Sequence, residues 1–591
     1  MTLATHWAHL PQITNIHASA DGEWAFWCWA GVTETEEVWC ARTNGSMAPE
    51  RLTHGQDHFA IRDVSPDGMR LILAQSVNAN EHDHLLLLDR AAGNSLTQLT
   101  PTQSGHYLYG GIFTPDGAGV IFIADHDYAH AVTTSGGWVW HQHLISGTRT
   151  CLARSDTPFE TGLRLSPDGT RLLWHRHEAK PGATQLWVLN TDGSHLREVL
   201  NLGPTNVARG HWANDDQIAF VADLDGADRL GLLTLSTGRI DWLAGEPDLC
   251  PHDIVPGPTY AVIAHYQSHS RAFVNLKPLF NPTNRRSLLP HAALPDGGWL
   301  AEAYDASAPH DLVRLSPDGR FTRLTPQPDS PRTHATPTDF RWTAPDGRAV
   351  QGWLYRPEGP SKGLIAYIHG GPTWHSEDWV NPKIGFWVQS GYTVLDPNYR
   401  GSTGFGFDHR EAVKHDGWGG AEQADIRAGI EALIAEGVAQ QGKIAVAGNS
   451  YGGFSSWFAI TRHADLVNAA IPMCGMYRLD IDYHATEMPH GRAYSEEMMG
   501  GTPEDFPEKY ANASPGNFIH RIKGAVMIVH GLADSNVGPE NTHTAVRELT
   551  AAGIPFDLML FENEGHGVFR RSNVETYLAA TETFLARAFK T

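Results

Sequence analysis

Ser450, Asp534 and His566 are the residues best placed, by type and context, to do chemistry. Ser450 stands in Gly448-Asn449-Ser450-Tyr451-Gly452, after the apolar run Ile444 to Ala447 and before a helical pattern from Phe454 to about Thr461. Two glycines around a serine at a strand-to-helix junction permit a turn tight enough to push the hydroxyl out of the backbone. Asp534 follows a second apolar run, Ala525 to Val529, which ends at His530-Gly531, and His566 follows a third, Phe556 to Phe561. Each sits just past the C-terminal end of an expected strand, and in an open sheet of parallel strands those ends form the face where sites assemble. A serine hydroxyl is a poor nucleophile at neutral pH. His566 is expected to take its proton during attack and deliver it to the leaving group, while Asp534 holds the ring's tautomer and stabilises the imidazolium.

Neighbouring groups have plainer readings. Glu562 and Glu564 lie too close in sequence to His566 to orient its ring, and read as a solvated loop. His530, before a glycine at a strand end, reads as a structural turn residue. The expected strand Leu364 to Ile368 runs into His369-Gly370-Gly371-Pro372, where adjacent glycines leave backbone N–H groups unobstructed. Gly371 is taken as one donor to a tetrahedral oxyanion, with Gly370 equally placed by sequence, and the N–H of Tyr451 as the other. Each such donor is worth about 3 kcal/mol of barrier. Downstream, Asn398-Tyr399-Arg400-Gly401-Ser402-Thr403-Gly404 reads as a shaped loop at the site's edge. Arg400 has two roles open to it: binding a substrate carboxylate or carbonyl, or holding the loop through an internal acid.

Elements to position these residues need more than one core, since 591 residues exceed what one domain supports. A hydrophobic content of 41% with 19 Trp excludes a disordered chain. The first twelve residues hold no Lys or Arg, and no run approaches a membrane span, so no leader or membrane anchor is expected. Cys28, Cys40, Cys151, Cys250 and Cys474 give neither a disulfide framework nor a metal-binding spacing, and a cytoplasmic protein without metal is the expectation. A net charge of −22 argues against nucleic acid or an anionic membrane as partner.

The first half repeats. Turn signals at Asp21-Gly22, Pro66-Asp67-Gly68, Pro115-Asp116-Gly117, Pro167-Asp168-Gly169, Asn214-Asp215-Asp216, Pro256-Gly257 and Pro295-Asp296-Gly297 are mostly followed by apolar β runs. Their spacing of about 40 to 52 residues fits four-stranded propeller blades. The reading is a seven-bladed β-propeller over 1–335, with a short N-terminal segment before residue 12 and a link containing Pro328, Pro331 and Pro337. A further Pro317-Asp318-Gly319 leaves the blade count open by one. The catalytic domain is 336–591, where strands alternate with amphipathic helices such as Ala421 to Ala435, with Ile426, Ile430, Leu433 and Ile434 on one face.

Taken together, the halves resemble the prolyl oligopeptidase family of serine peptidases, most of all its acylaminoacyl-peptidase-like branch. The likeness rests on His369-Gly370-Gly371-Pro372, Asn398 to Gly404, Gly448 to Gly453 and His530-Gly531-Leu532-Ala533-Asp534-Ser535-Asn536-Val537, in that order. It implies a propeller capping an α/β-hydrolase of doubly wound, mostly parallel sheet, so that only short peptides enter. It also implies an apolar pocket at matching positions Tyr451, Trp457, Tyr477 and Val537, although core packing serves Trp457 equally well. Homo-oligomers, and no metal or organic cofactor, are implied likewise. Family members often begin with a helix packed on the hydrolase, for which this chain leaves little room. The activity expected is an exopeptidase releasing an N-acylated residue, with a dipeptidyl aminopeptidase, a carboxypeptidase-type exopeptidase, an esterase on small acyl esters and an inactive scaffold as alternatives. The run Glu34-Thr35-Glu36-Glu37 tempts as an amine site but reads as a solvated outer turn.

Overall fold

A computed structural model describes residues 2–590 except 103–104, 158–159, 181–182, 204–207, 225, 244–249, 258, 276, 280–286 and 327–335. The first half forms seven four-stranded antiparallel meanders, at 12–51, 59–98, 108–153, 160–200, 208–243, 250–278 and 287–323, arranged as a seven-bladed propeller. All seven turn signals connect the first strand of a blade to its second, while Pro317-Asp318-Gly319 closes the last hairpin of blade seven. The turn is locally encoded. Ser65, Thr114 and Ser166 hydroxyls donate to Asp67, Asp116 and Asp168 at 2.6–2.7 Å, and the same carboxylates accept the N–H groups of Met69, Ala118 and Thr170. Each following glycine has positive φ, which suits it to the turn's last position. Second strands run through the middle of each blade and are buried on both faces. Leu71, Ile72 and Leu73 are fully enclosed, as are Val120 to Ala124.

The second half is one eight-stranded sheet: β1 (Thr338–Thr343), β2 (Ala349–Tyr355), β3 (Leu364–Ile368), β4 (Thr393–Asn398), β5 (Ile444–Asn449), β6 (Ala469–Met473), β7 (Ala525–Gly531) and β8 (Asp557–Phe561). Its spatial order is β1-β2-β4-β3-β5-β6-β7-β8, antiparallel through β2/β4 and parallel from there on. The order reverses around β3, and that switch point opens a crevice at the carboxyl ends of β3 and β5. Helix Ala421–Ala435 buries Ile426, Ile430 and Leu433, the face its periodicity marks. None of the described helices is long and apolar enough to cross a membrane.

Two parts of the sequence reading change here. A six-residue helix, Leu3–Ala8, does precede the propeller and packs on the hydrolase. Trp7, 1% exposed, inserts against Gly385 and donates to Gln389 at 2.8 Å. The run Glu34 to Glu37 is solvated only in part, with Glu34 exposed. Glu37 is wholly buried among Arg51, Thr53 and Gly55, and Glu34 accepts from Arg571 and Ser572 at the start of the C-terminal helix Arg571–Phe589. Of the expected link, Pro328 and Pro331 lie outside the described residues. Trp7→Ala removes a fully packed indole, so denaturant unfolding followed by tryptophan fluorescence is expected to show a loss of about 3–5 kcal/mol in the transition of the catalytic half.

Candidate active site

Two neighbouring strands build the nucleophile's corner. Ile368 of β3 pairs in register with Gly448 of β5, so the loop after β3 and the turn after β5 leave the sheet side by side. A methyl group on Gly448 or Gly452 would overlap the Ile368 carbonyl oxygen, which is why both positions lack a side chain. Ser450 takes φ 60° and ψ −121°, a strained turn conformation for a residue with a Cβ, and its N–H donates to the Met473 carbonyl at 3.0 Å. Helix Tyr451–Arg462 starts at the next residue, as the helical pattern after the elbow predicts.

The oxyanion side is braced from behind. Among the described residues no acceptor takes the N–H of Gly371 or of Tyr451, which leaves both available. Gly370 lies closest to the serine, its Cβ position 3.4 Å from Ser450 Cβ. His369 bonds Ser402 Oγ at 2.9 Å and the Gly370 carbonyl at 2.8 Å, and Tyr399 donates to the His369 carbonyl at 2.9 Å. Burial pushes the His369 pKa down to about 3, so the ring works as a neutral brace. Tyr451 donates its hydroxyl to Glu422 at 2.9 Å, and burial raises that carboxyl to about 7.

The other two residues meet each other. β7 and β8 pair at their ends, Gly531 with Phe561, and the loops beyond bring His566 Nδ1 to 2.8 and 3.0 Å from the two Asp534 oxygens. Asp534 also accepts the N–H groups of Asn536 and Val537. Burial opposes its charge, but His566 and His530 outweigh that and hold its pKa well below the usual carboxylate value. Burial likewise opposes charging of His566, yet the Asp534 carboxylate prevails and raises the ring above the ordinary imidazole value of 6.5. The His566 loop is tied to the elbow by Asn449 Nδ2, which donates to the His566 carbonyl at 3.2 Å. Ser450 Oγ itself makes no hydrogen bond among the described residues.

The structure decides several expected roles. Of the two roles open to Arg400 it takes the structural one: it is 6% exposed, with Nε and Nη2 on Asp425 at 2.8 and 2.6 Å and Nη1 on Asp346 at 2.8 Å, so it holds the loop rather than a substrate. Trp457, Tyr477 and Val537 are buried in the hydrolase core rather than lining an open pocket. Trp457 packs edge-on to Tyr477, whose hydroxyl donates to Glu548. Glu564 is not solvated but buried, accepting from Arg570 N–H and Asn573, whereas Glu562 is exposed as expected. His530 is buried and bonds Thr542 and the Val537 carbonyl, which makes it part of the Asp534 support.

Sequence reasoning missed Cys474 and Trp374. The Cys474 thiol, Asp534 and His566 place potential metal-binding atoms within 4.8 Å of one another, as do His265, His375 and Glu377. Internal contacts account for both groupings. Burial pushes the Cys474 thiol well above its ordinary pKa, so it is a neutral neighbour of the pair. Glu377 accepts from His375, Ser270 and Tyr304, which makes it a hydrogen-bond hub between hydrolase and propeller. Trp374, half exposed beyond the Gly371 loop, borders an interdomain cavity of about 370 Å³, together with His265, Thr373, Arg410 and Tyr494.

Comparison with known proteins agrees with this architecture. Residues 379–591 match the model of the prolyl oligopeptidase family, Peptidase_S9. Dipeptidyl aminopeptidase BIII of Pseudoxanthomonas mexicana is 25% identical over 98% of this chain and 87% of its own length. Dipeptidyl peptidase family member 6 of Caenorhabditis elegans is 30% identical over 39% of this chain and 31% of its own. The solved puromycin-hydrolyzing peptidase of Mycobacterium tuberculosis superposes with a TM-score of 0.85 at 21% identity, over 100% of this chain and 96% of that one. Propeller, hydrolase sheet and these matches define a serine peptidase. The match to the prolyl oligopeptidase family lies in the catalytic half of the chain.

Because His566 must be neutral to accept a proton, kcat/KM on a peptide anilide is expected to fall tenfold per pH unit as pH drops through an apparent pKa above 6.5. Asp534→Asn removes the charge that raises the ring, and is expected to cut kcat by about 10⁴.

Proposed function

We propose that Ser450, His566 and Asp534 hydrolyse short peptides through an acyl-enzyme, and that the enzyme works as an exopeptidase from the amino-terminal side. The observation that carries this is the His566–Asp534 pair on a loop tied to the serine elbow by Asn449, together with the unused N–H groups of Gly371 and Tyr451. Ser450 Oγ attacks the scissile carbonyl while His566 Nε2 takes its proton. The tetrahedral oxyanion accepts from Gly371 and Tyr451. His566 then protonates the leaving amine, and water repeats the sequence to release the acyl portion. The propeller closes over this face through ion pairs such as Arg410 with Asp223 and Asp228 at 2.8 Å, so a folded protein is excluded by size. Five unpaired cysteines, four of them buried, support work in a reducing compartment such as the cytoplasm.

Two substrates compete for the amino-terminal role. The loop motifs support a blocked, N-acylated terminus. The Pseudoxanthomonas relative, aligned over nearly the whole chain and named a dipeptidyl aminopeptidase, supports a free one. Mass-spectrometric mapping of products from free, N-acetylated and C-amidated peptides decides between them, since it reads both the end used and the number of residues released. Ser450→Ala is expected to lower every amide cleavage by on the order of 10⁶, to the background limit. Products released only from carboxyl ends, or undiminished cleavage by that variant, contradict the assignment.

A further inference from the structure

The close approach of β3 and β5 brings the two oxyanion loops together, and a third element keeps them there. That element is the N-terminal end of helix Ala421–Ala435, where Glu422 and Asp425 stand three residues apart and so share a face. Asp425 takes the loop after β4. Its carboxylate accepts the Arg400 N–H at 2.9 Å and the Arg400 guanidinium at 2.8 and 2.6 Å. Tyr399, one residue earlier, stacks on the His369 ring at 4.4 Å between centroids and donates to the His369 carbonyl, two residues before Gly371. Glu422 takes the elbow. Its Oε1 accepts the Tyr451 hydroxyl at 2.9 Å. One end of one helix therefore holds the supports of both donors.

The Tyr451 ring lies among Tyr399, Trp418 and Phe454, with centroids 6.0, 5.8 and 5.2 Å away. A ring slotted among others can still slide in its own plane, and the hydroxyl bond to Glu422 opposes that motion. Because the same residue carries the oxyanion N–H, a slide of the ring would move the donor. Glu422 is itself pinned: it is wholly buried, and Oε1 also accepts the Gly419 N–H at 2.6 Å and the Gln423 side chain at 3.2 Å. Gln423 in turn donates to Ser455, on helix Tyr451–Arg462, at 2.9 Å. The second oxygen, Oε2, has no partner among the described residues. A buried oxygen left empty costs about 1–3 kcal/mol, so stability alone gives no reason for a carboxyl here. Burial lifts its pKa to about 7, and below that pH it holds Tyr451 without a full charge to oppose the oxyanion.

We propose that Glu422 is a positioning residue of the oxyanion site, which holds the Tyr451 N–H where it and the Gly371 N–H converge on the tetrahedral intermediate. It acts through Tyr451 and does not touch substrate. This rests on the acyl-enzyme reading above and adds to it the group that sets the donor geometry. Its effect is felt when the carbonyl oxygen gains charge, so it belongs to kcat and leaves substrate binding unchanged. Losing an oxyanion donor costs about 10²–10³-fold, and a misplacement of about 1 Å costs up to 10²-fold.

The test compares full-length protein with Glu422→Gln, Glu422→Leu, Tyr451→Phe and the double variant Glu422→Leu/Tyr451→Phe. Fluorophosphonate titration counts active sites in each, and thermal melting checks the fold. Tyr451→Phe keeps the ring and its packing, so the test stands if the leucine variant does not fold. Glu422→Gln keeps an acceptor for the tyrosine hydroxyl and is expected to hold kcat on a peptide anilide within about threefold. Glu422→Leu and Tyr451→Phe are each expected to lower kcat by about tenfold or more with KM unchanged, and the double variant to lose no more than the worse single one. A peptide trifluoromethyl ketone, whose hemiketal oxyanion takes the same two donors, is expected to bind these variants more weakly by the same factor. Unchanged kcat in Glu422→Leu and Tyr451→Phe overturns the proposal. So do losses that multiply in the double variant, a glutamine variant as slow as the leucine one, or slower turnover with ketone affinity unchanged. Wild-type protein that the fluorophosphonate does not label overturns the acyl-enzyme reading first, and the positioning role with it.

Discussion

How closely the elbow after β5 approaches the end of β3 governs the rest of this site. The Ile368 carbonyl oxygen occupies the space that a side chain on Gly448 or Gly452 would need. Only with that space clear can Ser450 adopt its positive φ and Tyr451 begin a helix with its N–H unspent. The same approach sets Gly370 and Gly371 against the serine, so nucleophile and oxyanion donors are fixed by one steric contact. Preorganisation of this kind is effective because the donors need no reorganisation when charge develops. His566 and Asp534 come from the far side of the sheet, and Asn449 connects their loop back to the elbow.

A second constraint comes from the propeller, which supports the catalytic face as well as covering it. Arg570 reaches Gln56 and Asp57, Ser535 reaches Asn80, and Glu377 gathers Ser270 and Tyr304. These contacts meet the loops on either side of the triad and the segment that follows Gly371. Charge pairs that are partly buried are screened little by salt and lose much when one partner is removed. The interface therefore couples propeller position to the geometry of the loops bearing His566 and Asp534. An N-terminal helix anchored by Trp7 on the hydrolase adds a third attachment, made before the propeller begins.

What the sequence made legible was local. The elbow, the strand ends and the chain order of Ser450, Asp534 and His566 are short-range patterns, and so are the turn signals, mostly Asp-Gly, that mark each blade's first hairpin. What it hid depended on partners far along the chain. Arg400 had two roles open to it until Asp346 and Asp425 closed on it. Trp457 suited a pocket and a core equally well, and only packing decides. Glu34 meets Arg571 and Ser572, which lie more than half the chain away and leave no local pattern.

The central claim is that the hydroxyl of Ser450 becomes a nucleophile through a neutral His566. Reaction with a fluorophosphonate, followed over pH and mapped by proteolysis and mass spectrometry, tests it directly. The account predicts one adduct, on the peptide containing Ser450, with a labelling rate that falls on the acid side as His566 is protonated. Labelling on another residue, or at Ser450 with a rate indifferent to the loss of the His566 ring, would contradict it.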